Sequence, residues 1–279
     1  MAGIIAVFAH PDDETFICGG SLAALAAQGE EVTLICATKG EMGRRVGVPP
    51  VANRETLARL REDELRNACN ALHISDLRFL GYRDKSLEIA PIGQLIDILE
   101  QTFREEQPRA VITFHERFGG HPDHCTIGLA ATRAFERYNQ SQGASHDSGQ
   151  AASQATGHDA SQATSHVRRA DASQATSHVR SRDSLHRQTD GEGDASLLFV
   201  AWPGMAAYPK QYGLSTNDFL EVDVSRQLPA KLQAFRSHKT QSDLNGWLWQ
   251  SDVKAMERLS AREYFIKAYG SGDPLTALR

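Results

Sequence analysis

The chain has 279 residues, 41% hydrophobic and 23% charged, enough for one large or two small folded domains and too apolar for a disordered tail. Thirty basic against 35 acidic side chains leave a net charge of -5, which argues against nucleic acid as a partner. The longest apolar runs, Ile4 to Ala9 and Leu22 to Ala27, fall far short of the ~20 residues of a bilayer span. The first ten residues lack the basic start and cleavage site of a signal peptide, so a cytoplasmic protein without membrane contact is expected.

Gly3 to Phe8 is a continuous apolar run ending in a polar turn, the pattern of a buried parallel strand, and Glu31 to Ala37 is a second. Between them Ser21 to Gln28 reads as a helix closed by Gly29. From Arg54 to Leu72, the residues Leu57, Leu60, Leu65, Ala68 and Leu72 are spaced as on an amphipathic helix. Asp76 to Leu80 predicts a strand, Pro91 to Glu106 a helix begun by proline, and Arg109 to Phe114 another strand. This alternation predicts a single α/β domain, a Rossmann-like three-layer sandwich around a mainly parallel sheet.

Residues 140–195 contain only Val167, Val179 and Leu185 from the large aliphatic and aromatic set, too few for a core. Within them the segment Ala160 to Arg168 recurs 12 residues on, at Ala172 to Arg180. Short polar repeats do not build a solenoid, so a disordered surface insert is expected, splitting one domain into residues 1–139 and 196–279. Five of the 11 histidines lie there without a carboxylate or cysteine at ligand spacing, and repeat expansion accounts for them. Beyond it, Leu197 to Ala201 and Phe219 to Val224 read as strands, and Leu228 to Phe235 and Val253 to Tyr264 as helices. The four cysteines are scattered singly, as small apolar fillers rather than a disulfide framework or a thiolate zinc site.

In an open parallel sheet the ligand crevice lies beyond the carboxyl ends of the strands. The first strand runs into Ala9-His10-Pro11-Asp12-Asp13-Glu14 and the fourth is soon followed by His121-Pro122-Asp123-His124, so the two clusters should meet at one edge. His10, Asp13 and His124 supply two imidazoles and a carboxylate, a set that suits Zn²⁺, or alternatively Fe²⁺, with a position left for water. Adjacent carboxylates in an extended loop diverge, which leaves Asp12 as the candidate general base. His121 is the candidate imidazolium for a developing oxyanion and Asp123 the group that holds it, unless Asp123 is only a helix cap.

The pair of motifs at 9–14 and 121–124 resembles the LmbE-like (PIG-L) family of metal-dependent de-N-acetylases. That resemblance implies His10, Asp13 and His124 as zinc ligands, Asp12 as the base, His121 as the oxyanion partner, and assembly into homo-oligomers. Lys39 to Arg44, Pro49 to Glu55 and Leu80 to Lys85 further resemble the deacetylases of bacillithiol biosynthesis, which implies N-acetylglucosaminyl malate as substrate. Arg44, Arg45 and Arg54 are then candidates for forked pairs with the malate carboxylates, against the alternative of a solvated loop, and Asp84 for sugar hydroxyls. Some relatives carry a tyrosine where this chain has Gly119, and Tyr208 is the candidate replacement. His238, in His-Lys-Thr-Gln, matches a C-terminal pattern of the family and reads as a packing residue, as does His73; His115 stands close enough to support the site.

Rival readings keep the chemistry but change the substrate to free N-acetylglucosamine or chito-oligosaccharide, or make the chain a non-catalytic nucleotide- or sugar-binding module. The second lacks the G-x-G-x-x-G turn that a phosphate site would use after the first strand. A third makes the insert a partner-binding element on an idle enzyme domain.

Overall fold

The computed structural model describes residues 3–44, 46–152, 195–243, 245–270 and 273–278; the 12-residue repeats lie outside them. In chain order the elements are β1 (Ile4–Phe8), α1 (Asp13–Ala27), β2 (Val32–Thr38), α2 (Leu57–Leu72), β3 (Asp76–Tyr82), α3 (Ile92–Glu106), β4 (Ala110–Thr113) and α4 (Pro122–Ala152). They continue with β5 (Ser196–Ala201), α5 (Pro203–Ala207), β6 (Phe219–Asp223), α6 (Leu228–Ser237), α7 (Lys239–Ser242), α8 (Asp252–Met256) and β7 (Arg262–Tyr269). α4 thus continues past residue 140, as far as Ala152, before the described residues stop. No helix among them is long and apolar enough to cross a membrane.

The strands form one sheet in the order β3-β2-β1-β4-β5-β7-β6, parallel from β3 to β5 and antiparallel at β7. β1, β2 and β4 are buried along their whole length, which is why they read as unbroken apolar runs. Helices flank the sheet in two groups, α1 with α2 and α6, and α3 with α4. The order of strand addition switches sides of β1 between β3 and β4; β1 and β4 pair in parallel with Ile4 opposite Ala110 and Val7 opposite Thr113. Loops leaving these two strands therefore face each other over a topological switch point, where open α/β sheets bind ligands.

One predicted element is wrong. The helix expected over Val253 to Tyr264 stops at Met256, and the chain continues as strand β7. At Ser260 the hydroxyl donates to the Arg262 carbonyl (2.7 Å) and accepts the Arg262 N–H (3.1 Å), taking backbone groups that a helix would need. The following Arg-Glu-Tyr-Phe-Ile run is aromatic and β-branched, and it buries Glu263, Phe265 and Ile266 between β5 and β6.

The buried glutamate of this strand has a structural task. α1 is kinked at Cys18 (φ -139°, ψ 16°), which frees amides in mid-helix. The Glu263 carboxylate accepts the N–H groups of Gly20 (2.9 Å) and Ser21 (2.7 Å) and pairs with buried Lys231 at 2.5 Å. Gly20 fits because a Cβ there would lie 2.6 Å from the Cβ of Val224. Glu263→Ala leaves Lys231 and two amides without a partner, and should lower stability by about 3–5 kcal/mol. Urea unfolding checks this, and an unchanged midpoint would show that the cap carries no weight.

Candidate active site

Asp13 opens α1, and its Oδ2 accepts the N–H groups of Ala9 (3.2 Å) and His10 (2.8 Å), closing the turn that leaves β1. Asp12 sits at φ 115°, a left-handed conformation rare for a residue with a side chain. The two carboxylates consequently face opposite ways. Asp13 reaches His124, with Oδ1 3.2 Å from Nε2, whereas Asp12 accepts from Arg61 of α2 at 3.1 Å.

His10 lies at the centre. Its Nε2 is 3.1 Å from both Asp84 Oδ1 and Asp123 Oδ2. Those carboxylates are themselves held by backbone donors, Asp84 by Met42 N (2.9 Å), and Asp123 by Lys85 N (2.7 Å) and Leu87 N (3.2 Å). Acceptors on that side fit a proton on Nε2, leaving the Nδ1 lone pair directed at His124 Nε2 (3.2 Å) and Asp13 Oδ2 (3.7 Å). The His124 ring stacks on Phe114 with centroids 4.0 Å apart, and its Nδ1 donates to the Gly119 carbonyl at 2.8 Å, which likewise frees Nε2.

His10 Nδ1 and His124 Nε2 are 3.2 Å apart, with Asp13 Oδ1 3.2 Å from the latter and Asp13 Oδ2 3.7 Å from the former, near the roughly 3.3 Å between ligands around a tetrahedral Zn²⁺. The arrangement can hold a divalent cation, and its electrostatics call for positive charge. Burial works against a charged His10, yet Asp123 and Asp84 carry its pKa up to about 10. Burial alone would raise Asp13, but His124 and His10 pull it down to about 2.

Around this centre, the nitrogens of His10, His121 and His124 lie within 4.8 Å of one another. His121 Nδ1 accepts the Asp123 N–H at 3.1 Å, and burial together with the neighbouring imidazoles lowers its pKa. These contacts fit a neutral ring with its proton on Nε2, in place of the expected imidazolium. Asp12 is pushed up to about 6 by burial and by Asp13, against the pull of Arg61.

Several expectations need correction. Asp123 neither caps a helix nor holds His121 with its side chain; the carboxylate turns to His10, because the Lys85 and Leu87 amides anchor it there. Asp84 is 3% exposed with both oxygens engaged by His10 and Met42, so it supports the centre and does not reach for sugar hydroxyls. Arg54 donates to the Glu41 (3.1 Å) and Gly43 (2.8 Å) carbonyls and staples the loop after β2, leaving exposed Arg44 as the arginine free to meet a ligand. Arg45 lies outside the described residues. Tyr208 is 64% exposed beyond β5, and its side chain has no partner among the described residues. His115 packs on Phe118 and Phe199, where burial lowers its pKa to about 4.

Sequence reasoning missed Arg61. It is 3% exposed and binds the carbonyls of Gly40 (3.0 Å) and Pro11 as well as Asp12. The signal was present: Arg61 falls on the same helical face as Leu57, Leu65, Ala68 and Leu72, where a charge has no place unless paired. Gly40, at φ +63°, makes room for it, since a Cβ would come within 2.1 Å of the guanidinium.

The profile of the family described as PIG-L, GlcNAc-PI de-N-acetylase, matches residues 5–135. "Probable N-acetyl-alpha-D-glucosaminyl L-malate deacetylase 2" of Bacillus cereus is 44% identical over 134 residues, 48% of this chain and 61% of that protein, so the match spans about three fifths of the relative's length. A 1D-myo-inositol 2-acetamido-2-deoxy-alpha-D-glucopyranoside deacetylase of Thermobispora bispora is 30% identical over 98% of this chain and 90% of its own. Among solved structures, N,N'-diacetylchitobiose deacetylase from Pyrococcus horikoshii shares the fold at TM-score 0.58 and 18% identity, covering 99% of this chain and 88% of that one. So does 4-carboxy-2-hydroxymuconate hydratase from Pseudomonas putida, at 0.59 and 16%, covering 98% of each.

The donor set should take up one Zn²⁺ or Fe²⁺ per chain, and His10→Ala or His124→Ala should abolish uptake in metal analysis. Gly119→Ala would set a Cβ 2.8 Å from that of His124 and should weaken binding by about 10- to 100-fold in chelator competition.

Proposed function

The chain belongs to the PIG-L family, and from that premise we propose that it is a metal-dependent deacetylase of an N-acetylglucosaminyl conjugate. One observation carries the reading: His10, Asp13 and His124 lie in mutual contact while Asp12, their neighbour in sequence, is turned away from them to Arg61. A divalent cation on those three residues would polarise the acetamide carbonyl and bring the pKa of water to about 7.

The remaining steps belong to the chain's own side chains. Asp12, with a pKa raised to about 6, is ionised near neutrality yet basic enough to take a proton from the attacking water. Arg61 fixes the direction of that carboxylate. His121, neutral with Nε2–H, donates to the oxyanion that develops on the former carbonyl oxygen. Asp12 then returns its proton to the departing amine, and acetate and a free amino sugar result.

For the aglycone, we favour malate: the B. cereus relative is named for that substrate, and exposed Arg44 on the loop after β2 offers a planar donor for carboxylates. A second reading, a cyclitol aglycone, is favoured by the T. bispora relative, which matches nearly the whole chain. We further propose Zn²⁺, with Fe²⁺ as the alternative, action in the cytoplasm, a homo-oligomer, and residues 140–195 as an insert in a single domain.

Acetate release from the malate glycoside, the inositol glycoside, free N-acetylglucosamine and chito-oligosaccharide tests the assignment on metal-loaded protein. The malate glycoside should be turned over fastest, and no release from any of the four would rule out the deacetylase. Asp12→Asn should cut kcat by about 10²- to 10⁴-fold with metal retained.

A pH profile reports on Arg61. Its cation favours ionised Asp12, so without it the carboxylate protonates at higher pH. The acid limb of kcat/KM should therefore move upward in Arg61→Met, and an unmoved limb would mean that another group titrates there.

A further inference from the structure

The left-handed backbone of Asp12 needs a restraint, and the structure supplies one from the far end of the chain. The Asp12 N–H donates to Glu14 Oε2 at 3.0 Å. The other oxygen of Glu14 accepts the Thr15 hydroxyl at 2.5 Å and lies 2.7 Å from His238 Nε2. Glu14 is 1% exposed and His238 0%, so the pair is sealed from water on the protein side of the site.

His238 itself has little freedom. It joins α6 to α7, and its carbonyl accepts the N–H groups of Gln241 (3.0 Å) and Ser242 (2.9 Å). Two residues on, the amide and hydroxyl of Thr240 bind Glu64 of α2 at 2.7 and 2.6 Å, one helical turn from Arg61. Asp12 is thus gripped at both ends, its carboxylate by Arg61 and its amide by Glu14, and the α6–α7 junction braces both grips.

We propose that His238 is a positioning residue for proton transfer: through Glu14 it holds the backbone of Asp12 in the orientation that aims the carboxylate at the attacking water. The proposal rests on the reading of Asp12 as the base. His238 touches neither the metal donors nor the face open to substrate, so its loss should reach the chemical step alone. A small misplacement of a reacting group is enough to cost about 10- to 100-fold in rate.

Full-length, metal-loaded protein tests it. His238→Leu should lower kcat by about 10- to 100-fold, with KM within about twofold and metal content unchanged. His238→Gln, whose amide can donate to Glu14, should regain most of the loss, which a purely structural role would not predict. In an Asp12→Asn background, His238→Leu should lower kcat little further, since the positioned group has gone. Should His238→Leu fail to fold, Glu14→Gln serves instead: it leaves one acceptor where three donors converge and should show the same kcat loss. A normal kcat in these variants beside an impaired Asp12→Asn, or a loss confined to KM or to metal content, would overturn the positioning role. Full turnover by Asp12→Asn alone would instead overturn the base assignment itself.

Discussion

The site depends on how one imidazole is held. His10 leaves β1, Asp84 leaves β3 and Asp123 lies in the first turn of α4, so the paired contacts at His10 Nε2 tie two strand ends to the start of that helix. Because both carboxylates also accept backbone N–H groups, their positions do not depend on His10 alone, and the ring is oriented against them. With Nε2 committed on that side, Nδ1 is left toward His124 and Asp13. The imidazoles are thus aimed by the fold, because the carboxylates behind His10 are themselves held by backbone amides.

The second constraint is the separation of Asp12 from Asp13. Adjacent carboxylates in a buried site repel each other, and the structure resolves this by pointing one at imidazoles and the other at a guanidinium. The outcome is two neighbouring acids with divergent pKa values, about 2 and about 6. Such divergence lets one loop hold a carboxylate that stays ionised beside one that can exchange a proton near neutral pH. It is obtained at the cost of a left-handed backbone at Asp12, and the buried polar cluster of Glu14, Arg61, Glu64, His238 and Thr240 surrounds that strained residue.

The sheet architecture does not choose the reaction. A deacetylase and a hydratase share it at similar TM-scores, so the chemistry of this chain must be argued from its side chains. What the fold contributes is placement, since parallel β1 and β4 lie side by side where the strand order switches from one side of β1 to the other, which brings residues 9–14 and 121–124 to the same edge.

Apolar runs and helical spacing were sufficient to mark β1, β2, β4 and α2, because burial on one or both faces writes a period into the chain. They were also sufficient to bring the two histidine-bearing motifs to neighbouring strand ends. Strand β7 was misread because its aromatic, β-branched residues follow directly on a helical stretch, and only pairing with β5 and β6 decides between the two. Arg61, Glu64 and Glu263 are missed for a related reason: a charge on an apolar face signals a buried partner, but which partner, many residues away, only the folded chain decides. The directions of Asp84 and Asp123 were likewise beyond reach, since spacing along a chain reports which face of an element is buried but not where a loop side chain turns. That choice belongs to tertiary structure, because it is made by backbone amides which come together only when the strands have already paired.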